Sequence, residues 1–154
     1  MLVDIEGNVT IAHEVLEQIK KWDQALMNHN IDEITQHYAE DVGLFDVSSQ
    51  LSGLEQYKQE WEKVSPYFTA HMKITRRNIK IHVLADSVFL YCYSKLENSK
   101  LKGMLKMPWC RTTLCLQKKN DSWVLLHQHI SMPVNMLTGK AIDLDIKPKL
   151  QLVV

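Results

Sequence analysis

Between Ile11 and Asn28 the apolar residues Ile11, Val15, Ile19, Trp22 and Leu26 recur every three or four positions with polar residues between them. That spacing gathers them into one stripe and predicts an amphipathic helix. "NIDE" follows, with Asn30 three residues ahead of Glu33, a capping pattern for a short helix that ends near Tyr38. A strand is expected in "VGLFDV". "SGLE" then opens a third helix in which Ser52 caps and Glu55 reaches back, and Leu54, Tyr57, Trp61 and Val64 form its stripe until Pro66.

Beyond Pro66 the period drops from helical spacing to strict alternation. "AHMKITRRNIKIHVL", "SVFLYCYSKL", "LKGMLKMPWCRTTLCLQ" and "SWVLLHQHISM" are rich in branched and aromatic residues, and turn-like "AD", "ENSK" and "KKND" separate them. Long strands joined by short turns imply an antiparallel meander. Helices first and strands later is an α+β plan in which three N-terminal helices cover one face of a bent sheet, and the hollow between the layers is the natural ligand site. The tail from Val134 to Val154 has no helical stripe but alternates in "AIDLDI", so an edge strand or an arm reaching a second subunit is expected there.

Composition narrows the partners. A chain of 154 residues is the size of one domain able to bury a core. Its 18 basic and 18 acidic side chains cancel without any basic run, so nucleic acid is not expected as a partner. No stretch approaches a membrane span, and Cys92, Cys110 and Cys115 form no CxxC pair, which suits reduced thiols in a cytoplasmic protein. P-loop, nucleophile-elbow and GxGxxG patterns are missing, which excludes the common routes to phosphoryl transfer, serine hydrolysis and dinucleotide redox chemistry.

The last strand carries the polar candidates. In uninterrupted alternation Trp123, Leu125, His127, His129 and Ser131 share one side. Two histidines ~7 Å apart can share a metal only with a third ligand, and no such ligand is evident, so no metal and no cofactor are expected. One register of the final hairpin turns Arg111, Thr113, His127, His129 and Ser131 outward and leaves Leu114, Leu126, Ile130 and Met132 facing the helices. A one-residue change in the loop reverses it and brings Arg111 and the histidines into the hollow.

With "YAEDVGLFDV" after two helices and "RTTLCLQKKNDSWVLLHQHISMP" at the end, the chain resembles, over about Ile11 to Pro133, the SnoaL-like and ketosteroid-isomerase-like proteins of the nuclear transport factor two-like superfamily. The final hairpin also resembles the calcium/calmodulin-dependent kinase association domain, and a loop of that domain's length implies the register that turns the histidine row outward, toward a two-fold partner. The resemblance implies a cystatin-like cone of bent, mixed sheet wrapped on helices, a homodimer through the outer sheet face, and an interior pocket for a small apolar ligand. It lays the isomerase's catalytic base on Asp46 and its helix-one donor on Trp22. The second donor falls near Thr112 or Leu114, and the association domain's pocket arginines fall on Leu114 and Ile130. The expected pocket lining is Trp22, Asp46, Tyr57, Trp61, Leu114, Leu126 and Ile130. Two functions stay open: a cofactor-free isomerase- or lyase-like enzyme using Asp46 on a carbonyl substrate, and a non-catalytic binding or association module.

Overall fold

The computed structural model describes residues 2–67, 72–98 and 107–148. Strand β1 (Val3–Glu6) leads into helix α1 (Val9–Met27), a short helix α2 (Ile31–Thr35), strands β2 (Tyr38–Phe45) and β3 (Gln50–Ser52), and helix α3 (Leu54–Val64). Four long strands follow: β4 (Met72–Leu84), β5 (Ser87–Asn98), β6 (Cys110–Lys119) and β7 (Ser122–Ser131). They form one seven-stranded sheet in the order β1-β4-β5-β6-β7-β2-β3. The meander β4-β5-β6-β7 is antiparallel, while β1 on β4 and β2 on β7 pair parallel, so the sheet is mixed.

The helical pattern places α1 correctly but not its start, which lies at Val9 because Asn8 accepts a hydrogen bond from the Ile11 N–H. Asn30 caps α2 as expected, yet the helix stops at Thr35, and Tyr38 begins β2. At α3 the cap is Gly53, with no side-chain cap; the Ser52 N–H instead donates to the Gln56 side chain at 2.8 Å. Strands β1 and β3 had no signal, being too short to show alternation. The "AD" and "KKND" turns fall on Ala85–Asp86 and Asn120–Asp121, while the expected strand start at 101–106 lies outside the described residues. Among the described residues of the tail there is one bridge, Val134 to Ala141, and no strand; residues 149–154 lie outside them.

Irregularities in three strands bend the sheet and reset its faces. In β4, Arg77 pairs with Tyr93 and Lys80 with Tyr91, so Asn78 and Ile79 share one opposing residue. Asn78 takes a positive φ of 54°, which Asn tolerates better than most residues. In β7, Cys115 pairs with His127 but Leu116 with Leu125, leaving Leu126 as the extra residue. The register of β2 on β7 also jumps, between Tyr38 and Gly43.

The core lies between α1 and the inner sheet face. Ala12, Val15, Leu16, Ile19 and Trp22 from α1 meet Val42, Leu44, Ile79, Ile81, Val88, Leu90, Leu114, Leu116, Trp123 and Leu125. A smaller cluster of Ala25, Ile34 and Trp61 ties α1, α2 and α3 together. Burying ten or more such branched and aromatic side chains, at about 1.5–3 kcal/mol each, is what holds the helices on the sheet.

Candidate functional site

Near the C-terminal half of α1, where β2 begins, polar side chains stand among the apolar residues of the inner sheet face. Arg76 on β4 faces inward because the bulge at Asn78 lets Ile74 and Arg76 share a face with Ile79 and Ile81. Its guanidinium grips Asp23 of α1 in a two-pronged contact, Nε to Oδ2 at 2.8 Å and Nη2 to Oδ1 at 2.6 Å. The Nη1 group lies 3.9 Å from the Cys92 sulfur. Burial works against the Arg76 charge, but the hydrogen bonds and charge of Asp23 outweigh it and hold the group more firmly protonated than usual. Burial pushes the Cys92 thiol up, with Arg76 pulling the other way.

Beside this pair lie two buried hydroxyls. Tyr38 and Tyr57 pack with tilted rings, 5.2 Å between centroids, and share a hydrogen bond, and Trp22 meets Tyr38 edge-on at 5.7 Å. Burial raises Tyr38 well above its ordinary value, and the neighbouring Tyr57 adds to the shift. Burial also pushes Tyr57 up to about 12; the bond to Tyr38 lowers it and the charge of Asp46 raises it further. The Trp22 side chain is 5% exposed, and its Nε1–H is buried with no hydrogen-bond partner. An unpaired buried donor costs about 1–3 kcal/mol, a cost most often tolerated where a ligand supplies the acceptor. Thr112, buried on β6, bonds Ser94 of β5, and Cys110 lies within reach of the Asp46 charge.

Asp46 continues the inward parity of Val42 and Leu44 one step past the end of β2. It is exposed there, and its Oδ1 accepts from the Val47 N–H at 2.7 Å within a tight turn. The sequence-derived base therefore lies in solvent just past the end of β2, with its charge felt at Tyr57 and Cys110. Tyr57 lies inside with Trp22, and Ile130 lies opposite the inward Thr112. Leu114 is fully buried core, and Trp61 belongs to the smaller helix cluster. Leu126 is the bulged residue, partly buried against the core rather than in a row with Ile130.

The simple alternation expected for the last strand fails at that bulge. Trp123 and Leu125 face in, whereas His127, His129 and Ser131 face out, opposite Cys115, Thr113 and Arg111. His127 Nδ1 lies 2.7 Å from the Gly43 carbonyl, and Phe45 meets the edges of both imidazoles. Among the described residues no three His, Cys, Asp or Glu side chains gather as a metal site. Asp23, Tyr38 and Arg76 were not anticipated. Arg76 carried a signal nonetheless: a charged residue two positions after Ile74, with an Asn able to break the alternation two positions further on.

The sequence model of the SnoaL-like domain matches residues 15–135. None of the curated proteins matches this chain significantly. Among solved structures, a nuclear transport factor two-like protein of unknown function from Pseudomonas putida is 26% identical, with a TM-score of 0.80, over 92% of this chain and 100% of that one. A protein with a cystatin-like fold from Nostoc punctiforme aligns at 17% identity and a TM-score of 0.69, over 82% of this chain and 93% of that one. A protein provisionally named a ketosteroid isomerase, from Shewanella frigidimarina, aligns at 20% identity and a TM-score of 0.63, over 75% and 92%. The last two speak for the fold alone.

Two outcomes follow from this geometry. Asp23→Asn leaves the Arg76 charge buried without its counter-charge and should cost about 3–5 kcal/mol in urea unfolding, with Asp23→Asn/Arg76→Met recovering much of it. A loss below ~1 kcal/mol would mean that the pair is solvated. Tyr57, ordinarily near 10.0, sits at about 12 when folded. The folded chain thus keeps a proton that the unfolded chain gives up, so this contribution to stability is whole below pH 10 and is lost as pH rises toward 12. Ultraviolet titration should find Tyr38 and Tyr57 ionising later in the native protein than in urea, and coincident curves would contradict their burial.

Proposed function

This chain belongs to the SnoaL-like domain family, and from that premise we propose that the polar end of its hollow binds a small, largely apolar molecule bearing a carbonyl oxygen. The observation that carries the reading is the buried, unpartnered Trp22 Nε1–H against the Tyr38–Tyr57 hydroxyl pair. The ligand oxygen would accept from the indole or from a tyrosine hydroxyl, and the surrounding low dielectric would strengthen that bond.

Asp46 at the rim is the candidate proton acceptor in a cofactor-free isomerase- or lyase-like step. Its charge reaches Tyr57 and Cys110, which supports a place at the mouth of the same hollow. A carboxylate there would take a proton from the carbon beside the carbonyl, while a donor inside steadies the developing enolate oxygen. The name of the Shewanella relative is consistent with such chemistry. The exposure of Asp46 and its bond to Val47 favour the second reading, a pocket that binds without turnover.

Proton exchange separates the two without knowledge of the natural substrate. Acetonaphthone, an aromatic methyl ketone, should bind, and its methyl protons should exchange with deuterium faster in the presence of protein, by NMR. Asp46→Asn should bind the ketone equally and lose the acceleration, by roughly 10²-fold or more. Equal exchange in the variant removes Asp46 as the base; binding without exchange in the parent leaves the non-catalytic pocket; no binding removes both.

We further propose a homodimer through the outer sheet face. The exposed Phe45 and Tyr91 flank Thr113 and His129 in one cross-strand row, an apolar and hydrogen-bonding mixture suited to a two-fold contact. His127→Ala/His129→Ala should shift light scattering toward monomer, and an unchanged dimer at low concentration would exclude these residues from the interface.

A further inference from the structure

A recess opens at the β1 end of the sheet and shares Arg76 with the polar cluster described above. It measures about 740 Å³ and is lined by Leu2, Val3, Ile5 and Leu16, with His13, Glu17 and Lys20 on the α1 side and Thr75 to Asn78 of β4 along its floor. Its shape follows from the pairing of the sheet. Strand β1 covers only Ile79–His82 of β4. From Met72 to Arg77, β4 pairs with β5 on one side and, among the described residues, with no strand on the other. The recess is therefore a slot in line with β1, beside a bare length of backbone of ~20 Å at ~3.3 Å per residue.

Alternate residues along such an edge turn their N–H and C=O groups into the slot. Proteins ordinarily cover or blunt an edge of this kind. Here the covering strand stops at Val3, and the bulge keeps Asn78 at positive φ with its side-chain oxygen buried and unpartnered. The rim is basic on balance: His13, Lys20, Arg76 and Arg77 face a single acid, Glu17, which Lys20 already engages. Arg76 is held by Asp23, but Arg77 has no carboxylate partner among the described residues. Its guanidinium lies over Trp109 at 5.0 Å and donates to the Ile146 carbonyl.

We propose that this slot binds an extended peptide from a partner protein, added as a strand to the free edge of β4 in line with β1 and carrying a carboxylate for Arg77. The backbone edge supplies the main-chain hydrogen bonds, and Leu16 and Ile5 receive every second side chain. Arg77, stacked on Trp109 and so already oriented, meets the acid. The proposal does not rest on the reading given for the interior, because Arg77 and the β4 edge take no part in it, although Arg76 borders both.

The test is fluorescence anisotropy with the whole protein and a fluorescein-labelled hexapeptide of alternating valine and threonine ending in a free carboxylate. Its partners are the same peptide N-methylated at alternate amides and the same peptide amidated at its C-terminus. The free peptide should bind, the N-methylated one should not, and Arg77→Gln should weaken the carboxylate form ~10-fold while leaving the amide form unchanged. Hydrogen exchange should slow at Thr75–Asn78 on binding. Equal binding of the N-methylated peptide, or protection appearing at β3 on the opposite sheet edge, overturns strand addition here. Binding that appears only after removal of residues 149–154 assigns the slot to the chain's own tail and likewise overturns the proposal.

Discussion

The facing of this sheet is decided by where its alternation breaks. A regular strand sends every second side chain inward, and a single bulge exchanges the two sets from that point on. In β4 the extra residue at Asn78 lets an Ile-x-Arg run and an Ile-x-Ile run share the interior. In β7 the extra Leu126 puts Trp123 and Leu125 into the core while sending His127 and His129 outside. Without the first bulge Arg76 could not share a face with the core isoleucines and reach Asp23; without the second the imidazoles would crowd Leu114 and Leu116. Curvature and polarity thus have one cause, because the same bulges that bend the sheet around α1 choose which groups line the hollow.

What they choose is energetically uneven. The Asp23–Arg76 contact is an exchange of hydration for a two-pronged hydrogen bond, and such pairs contribute little net stability while being costly to break. The Tyr38 and Tyr57 hydroxyls share one hydrogen bond, whereas the Trp22 N–H has no acceptor among the described residues. An apolar residue at position 22 would fill the same space against Tyr38 at no such cost. The unpaired donor is therefore the feature of the interior least accounted for by folding, and the one that most directs attention to a ligand.

Much of this was legible in order but not in detail. The stripe from Ile11 to Leu26 and the four late strands fix an α+β chain, because helical and strand periods differ enough to survive local noise. Faces were another matter. The alternation from Trp123 to Ser131 reads as unbroken, and Leu126 differs in no way from a regular strand residue, so the bulge there left no mark in the residues themselves. Asn78 did leave one, an Asn inside a run of strand formers. Tyr38 was hidden by the capping pattern of "NIDE", which suggests a helix longer than the one turn that forms. The rim position of Asp46 follows from the end of β2 just before it, and parity along Val42 and Leu44 gives its direction. Its exposure depends on the turn through Ser49, whose carbonyl accepts from the Asp46 N–H at 2.8 Å.

The arrangement of charge from rim to interior adds a final constraint. Asp46 carries its charge at the mouth, in solvent. Further in, the tyrosines are held neutral by burial, and the two opposite charges cancel at 2.6–2.8 Å. A ligand with a net charge would enter a region that offers donors but no free counter-charge, and would lose its hydration without recompense. A neutral molecule with one exposed oxygen loses little on entry and gains the indole or hydroxyl donor. On the proposed reading, the polar cluster would discriminate on charge before shape, and Asp46, lying in solvent, would pass a proton to water after transfer rather than hold it among buried groups.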